Sequence, residues 1–146
     1  MVKIIMHGCN GHMGQVISGL VEKDPDAEIV AGIDVADQGK NSYPVYTNME
    51  ECQVEADALI DFSSAKATDA LLAYCEKRKL PVVLCTTGLS EEQLAKVEET
   101  SKNVAVLKSA RGSMNFPKFV TRLYFLASFP SNQSVTLATT KIASAI

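Results

Sequence analysis

The sequence predicts an α/β fold built on a doubly wound parallel sheet, and three observations carry that reading. Apolar runs of strand character alternate with segments of helical apolar spacing as far as about Ala110. Such alternation belongs to parallel strands joined by right-handed helical crossovers. A glycine-rich turn, Gly8-Cys9-Asn10-Gly11-His12-Met13-Gly14, stands between the first strand and the first helix. An acid, Asp34, closes the second strand twenty positions after Gly14.

The first strand is the apolar run Val2 to Met6. Glycines after it let the chain turn without a Cβ in the way. They also leave the amides and positive dipole end of the next helix open to a phosphate. The spacing G-x-x-G-x-x-G is a relative of the dinucleotide fingerprint G-x-G-x-x-G and not a match to it, so a plain tight turn is the competing reading. The helix runs from about Gly11 to Lys23, with Val16, Ile17, Leu20 and Val21 at helical spacing. It stops at Asp24-Pro25-Asp26, because proline cannot continue it. The second strand, Glu28 to Asp34, delivers its acid near the spacing at which a Rossmann unit meets an adenosine ribose. A turn residue at a strand end is the competing reading for Asp34.

Val35 to Thr47 is a polar connection with a short extended piece at Val45-Tyr46, and Asn48 is placed to cap one helical turn through Glu51. The third strand is Ala56 to Phe62. After Ser63-Ser64 a helix runs to about Lys79, with Ala67, Ala70, Leu71, Tyr74 and Cys75 on one face. Pro81 to Thr86 is almost wholly apolar, as a strand covered on both faces should be. Thr87-Gly88 turns the chain, and Ser90 with Gln93 forms a capping-box pattern for a helix carrying Leu94 and Val97. A fifth strand, Asn103 to Leu107, follows. The loops Gly8–Gly14, Asp61–Ser64 and Cys85–Gly88 then share the carboxyl edge of the sheet, where open α/β folds bind ligands. Helix capping is the bland alternative for Ser63 and Ser64.

Composition narrows the function. The chain has 146 residues, 47% hydrophobic and 21% charged, which suits one globular domain with a real core. A net charge of -3 gives no reason to expect nucleic acid or an anionic membrane as partner. Cys9, Cys52, Cys75 and Cys85 form no C-x-x-C pair, and His7 and His12 are the two histidines, so no metal site is expected. Cys75 and Cys85 lie in apolar runs and are expected as buried thiols. No signal peptide and no bilayer-length apolar run is found, so a cytoplasmic location is expected.

Three stretches together resemble the N-terminal domain of the dihydrodipicolinate reductase family of lysine and diaminopimelate biosynthesis. Gly8–Gly14 is similar to that family's G-x-x-G-R-M-G. Asp61-Phe62-Ser63-Ser64-Ala65-Lys66-Ala67-Thr68 is similar to its D-F-S/T-x-P-x-x-T, and Cys85-Thr86-Thr87-Gly88 to its G-T-T-G. The resemblance covers about residues 1–110 and implies an NAD(P)H-dependent oxidoreductase. It implies that Gly8, Cys9, Asn10, Gly11, His12 and Met13 hold the pyrophosphate and that Asp34 meets the adenosine ribose. Phe62 and Ser63 would lie beside the cofactor, Cys85, Thr86 and Thr87 would border the nicotinamide ribose and ring, and Gly88 completes the cofactor-binding set. His12 stands where arginine is usual, and Cys85 replaces a glycine. Asp34 accepts ribose hydroxyls but repels a 2′-phosphate, so NADH is the preferred cofactor and NADPH the second candidate.

After Ser109-Ala110 the family's pattern stops. No histidine follows His12, and no acid follows Glu99. Residues 111–146 are therefore expected to be an atypical tail, with a helix from Pro117 to about Ala127 and a strand from Val135 to Thr139. A frame-shifted or recombined gene end is the favoured origin, and a genuine short cap the alternative. The second, substrate-binding domain of the family is expected to be missing from these residues, so no catalytic residue is assigned and oligomers are not expected. Two further readings stand beside the reductase: a non-catalytic dinucleotide-binding module, and a phosphate-binding domain for another ligand.

Overall fold

The computed structural model of the chain describes residues 1–108. The helix and strand expected between Pro117 and Thr139, and the tail as a whole, lie outside them. The elements in order are β1 (Val2–His7), α1 (His12–Val21), β2 (Ala27–Ile33), β3 (Val45–Tyr46), β4 (Ala58–Asp61), α2 (Thr68–Arg78), β5 (Val82–Leu84), α3 (Glu91–Ser101) and β6 (Val106–Lys108). Short 3-10 turns at Met49–Glu51 and Ala65–Ala67 lead into β4 and α2.

The strands form one six-stranded sheet in the order β3-β2-β1-β4-β5-β6, and every pairing is parallel. The winding starts at β1, runs outward to β3, and resumes on β1's other side with β4. This is the doubly wound order, with its switch point between β1 and β4.

Strand period explains how the sheet is covered. Ile4 and Met6 of β1 join Ile17 and Val21 of α1 in one apolar cluster, with Ile60 and Val83. Ile5 points to the other face and packs with Leu59, Val82, Leu84 and the α2 residues Leu71, Leu72, Tyr74 and Cys75. Burial on both faces is why these strands read as unbroken apolar runs. Ile4, Ile5 and Met6 are all fully buried, each contributing on the order of 1.5–3 kcal/mol of transfer free energy.

Local chemistry sets the element ends. Ser90 Oγ accepts the Gln93 amide and Gln93 Oε1 accepts the Ser90 amide, so the expected capping box starts α3. The Asn48 side chain accepts the Glu50 amide, as its position suggests. The Val45-Tyr46 piece is a true edge strand paired with β2.

Three expectations shift. Ala70 is exposed and Ala67 half-buried, while Leu72 and Thr68 are buried. Leu71, Tyr74 and Cys75 are buried as expected, so the stripe holds within α2 except at Ala70, and Ala67 belongs to the 3-10 turn before the helix. Leu94 and Val16 are exposed at 41% and 38% although both sit at helical spacing with core residues. Cys75 is buried as expected, but Cys85 is half-buried, because it lies one residue past the end of β5 where the chain leaves the sheet.

Candidate functional site

The carboxyl ends of β2, β1, β4 and β5 lie side by side and bring the expected site residues into one row. Asp34 follows β2, Gly8 to Met13 follow β1, Phe62 and Ser63 follow β4, and Cys85 to Gly88 follow β5. Main-chain bonds stitch the row: the Gly8 amide donates to Ile33 O (2.8 Å), Phe62 N to His7 O (3.0 Å) and Cys85 N to Asp61 O (2.9 Å).

The three glycines of the first loop are not equivalent. Gly8 has φ +79°, and a Cβ there would lie 2.6 Å from Phe62 O. At Gly14 a Cβ would lie 2.2 Å from Gly8 O. Both positions are closed to larger residues by the protein's own backbone. Gly11 differs: its φ is -70°, and an added Cβ would meet only Gly8 O, at 3.4 Å. Gly11 is the N-cap of α1, and no side chain caps that helix. Gly11 and His12 at the opening of α1 are exposed, and apart from its chain neighbours only Gly8 O comes near the place of a Gly11 Cβ. This is the arrangement an anionic group requires at a helix start.

Asp34 is half-buried and held from two sides. Its Oδ2 accepts the Asn10 amide (2.8 Å) and its Oδ1 accepts the Val35 amide (2.8 Å). Each oxygen keeps a further lone pair, so the carboxylate can still accept hydroxyls. Cys9 is fully buried beneath this loop against Gly32, where a Cβ would lie 2.7 Å from Cys9 Sγ. Burial, with Asp34 nearby, pushes its thiol up to about 11. Cys9 thus packs the loop from below and stays a neutral thiol.

A second node, which the sequence reading did not single out, lies under the other half of the row. Asp61 is fully buried. Its Oδ1 accepts the Ser63 hydroxyl (2.6 Å) and amide (3.1 Å), and its Oδ2 accepts the Thr86 hydroxyl (2.6 Å). His7 Nδ1 lies 2.9 Å from Oδ1, off the direction of a well-aligned hydrogen bond. Burial alone would push this carboxyl up, but the contacts from His7, Ser63 and Thr86 outweigh it and hold it below its ordinary value. Asp61 thus ties β1, β4 and β5 together at their ends. Ser63 and Thr86 spend their hydroxyls inward, which leaves backbone groups to face the row. Neither Ser63 nor Ser64 acts as a side-chain cap. Among the described residues no hydrogen bond joins Thr87 or Gly88 to the other loops; both are exposed, and Gly88 has φ +77°. Burial pushes the Cys85 thiol up to about 12, with Asp61 adding to the shift.

Among the described residues no group of three or more His, Cys, Asp or Glu is placed to hold a metal ion, and no helix is long and apolar enough to cross a membrane.

Known proteins share this arrangement of elements. A dehydrogenase from Chromobacterium violaceum, WlbA, solved with NADH and UDP-GlcNAcA, superposes with a TM-score of 0.66 at 14% identity over 88% of this chain and 41% of its own. A dipicolinate-bound dihydrodipicolinate reductase from Paenisporosarcina sp. TG-14 gives 0.67 at 18% identity, over 99% of this chain and 66% of its own. At such identities the likeness is one of fold. Sequence goes further. The 4-hydroxy-tetrahydrodipicolinate reductases of Clostridium tetani and Clostridium novyi are 45% and 48% identical over 114 residues, in each case 78% of this chain and 45% of theirs. The chain thus matches slightly less than half the length of these relatives. The family model for the N-terminus of dihydrodipicolinate reductase matches residues 2–111. By that match the chain belongs to the dihydrodipicolinate reductase family, of which it carries the N-terminal part.

Proposed function

We propose that this chain is the cofactor-binding half of a 4-hydroxy-tetrahydrodipicolinate reductase, and that it binds a nicotinamide dinucleotide without reducing substrate by itself. The observation that carries the reading is the contrast among the glycines. Gly8 and Gly14 are closed by the fold, whereas Gly11 leaves open space beside the uncapped start of α1. A pyrophosphate fits that space and those amides. Asp34, fixed by the Asn10 and Val35 amides, is oriented to accept the hydroxyls of the adenosine ribose. Phe62, Ser63, Cys85, Thr86, Thr87 and Gly88 border the nicotinamide half, with Asp61 holding Ser63 and Thr86 in place. Bound in its reduced form, the cofactor supplies a hydride.

The residues here bind and orient; they do not complete a reductase. Reduction of a cyclic imine dicarboxylate needs groups for two carboxylates and a proton donor at nitrogen. Among the positions assigned to the cofactor, His12 is the one side chain able to carry positive charge, and it lies exposed at the helix start. NADH is the preferred form, since Asp34 repels a 2′-phosphate, and the nearest cation along the chain, Lys40, is exposed in the polar connection. Titrating both reduced cofactors while following nicotinamide fluorescence tests the reading, together with a turnover assay on the dihydrodipicolinate-type substrate. Saturable binding, tighter for NADH, without turnover is expected. Tighter NADPH binding refutes the preference, and clear turnover by the purified chain refutes the division of labour.

A further inference from the structure

In the reading proposed above Asp34 sets cofactor preference, yet part of what orients Asp34 lies elsewhere. Its Oδ1 is held by the neighbouring Val35 amide and its Oδ2 by the Asn10 amide, so Asn10 is the anchor that ties its aim to the glycine loop. Asn10 is in turn held through its side chain. Its Nδ2 donates to Ala36 O (2.6 Å), and its Oδ1 accepts Asn41 Nδ2 (2.9 Å). Asn41 Oδ1 accepts Gln15 Nε2 (2.8 Å), and the same nitrogen donates to Cys9 O (2.8 Å). The circuit runs from the glycine loop to the end of β2, through the polar connection to α1, and back. Asn41 is the point at which the connection joins it. Among the described residues, no other residue from Asp37 to Ser42 makes a hydrogen bond outside that segment.

The amide of Asn41 fits this place because it offers both polarities. Its nitrogen donates to one neighbour's carbonyl oxygen while its oxygen accepts from another's amide. An aspartate would keep the second bond and turn the first into a repulsion. An alanine would lose both and release residues 37–42, which carry Asp37 and Lys40.

We propose that Asn41 is a positioning residue for cofactor discrimination. It locks Asn10, and through Asn10 the carboxylate of Asp34, so that the site accepts a ribose diol and rejects a 2′-phosphate. The inference rests on the dinucleotide reading above and adds to it a residue outside the three motifs. Released from Asn41, Asp34 loses its fixed aim at the diol, and Lys40 gains freedom to approach a phosphate. Affinity for NADH then falls while that for NADPH holds or rises. A residue that only stabilised the fold would weaken both alike.

The test is to titrate NADH and NADPH into the wild-type chain, Asn41→Ala and Asn41→Asp, with thermal melts on all three. Asn41 is half-buried in a surface connection, so both variants should fold. For Asn41→Ala we expect NADH affinity to drop about tenfold, the scale of a lost hydrogen bond or two, with NADPH affinity changed by less than about threefold. Asn41→Asp should weaken both, because it adds charge near the phosphate. An unchanged NADH-to-NADPH ratio in Asn41→Ala overturns the role of Asn41 and leaves the cofactor reading standing. A wild-type chain that binds neither cofactor overturns both.

Discussion

Gly11 and Gly14 are the same residue type three positions apart, and the fold treats them oppositely. A Cβ at Gly14 would press 2.2 Å from Gly8 O, inside any real contact. Gly14→Ala should therefore cost several kcal/mol, roughly 2–4 by the usual scale of overpacking against backbone, seen as a lower urea midpoint. Asp61 gives a second test at this scale. It is fully buried and accepts from Ser63 and Thr86, so Asp61→Ala leaves two hydroxyls and the Ser63 amide without their acceptor and removes the carboxylate beside His7. A loss of about 3 kcal/mol is expected at neutral pH. Its folded value lies below the unfolded one, so its stabilisation is fully present above about pH 4 and is lost as pH falls through the folded value. The gap in stability between wild type and Asp61→Ala should narrow in acid; a gap independent of pH would show that Asp61 is not held as an anion.

Elements in this fold are joined by side chains reaching over long stretches of sequence. Arg78, at the end of α2, donates to Cys52 O (2.9 Å) and Val54 O (2.6 Å) and also bonds the Tyr74 hydroxyl, which itself donates to Cys52 O (2.5 Å). Its guanidinium carbon lies 5.1 Å from the centre of the Tyr74 ring. This clamp pins the segment before β4 onto α2, and so fixes how β4 enters the sheet. Burial pushes the Tyr74 hydroxyl up to about 12, so it remains a donor across the accessible pH range. Arg78→Ala should lower stability by about 1–3 kcal/mol, read from denaturant melts, and Arg78→Lys should restore only part of it, since an ammonium lacks the planar fork. Full recovery in Arg78→Lys would show that charge alone acts there.

At the scale of the molecule, what could be read beforehand depended on whether the signal was local. The strands could be read because burial on both faces makes them continuous apolar runs. The starts of α1 and α3 could be read because glycines and a capping box act within a few residues of themselves. Asp34 was singled out by its spacing from Gly14, and it lies against the glycine loop through the Asn10 amide. The circuit through Asn41 and Gln15 was not, because residues of a polar connection show no periodicity and their partners lie 26 and 31 positions away. Asp61 belonged to a quoted motif, yet its part in holding Ser63 and Thr86 depends on β4 and β5 being neighbours. The 3-10 turn at Ala65–Ala67, which delays the start of α2 to Thr68, is announced by no apolar pattern.

The proposed cofactor reading turns on the space beside Gly11, and one substitution probes it directly. Gly11 has a backbone conformation that any residue can adopt, and a Cβ there meets only Gly8 O at 3.4 Å. Gly11→Val should therefore fold with a melting temperature close to that of the wild type, while its branched side chain fills the place of the pyrophosphate. Calorimetric titration with NADH should give saturable binding to the wild-type chain and none to folded Gly11→Val. Equal binding by the two proteins, or no binding by the wild type, would contradict the account.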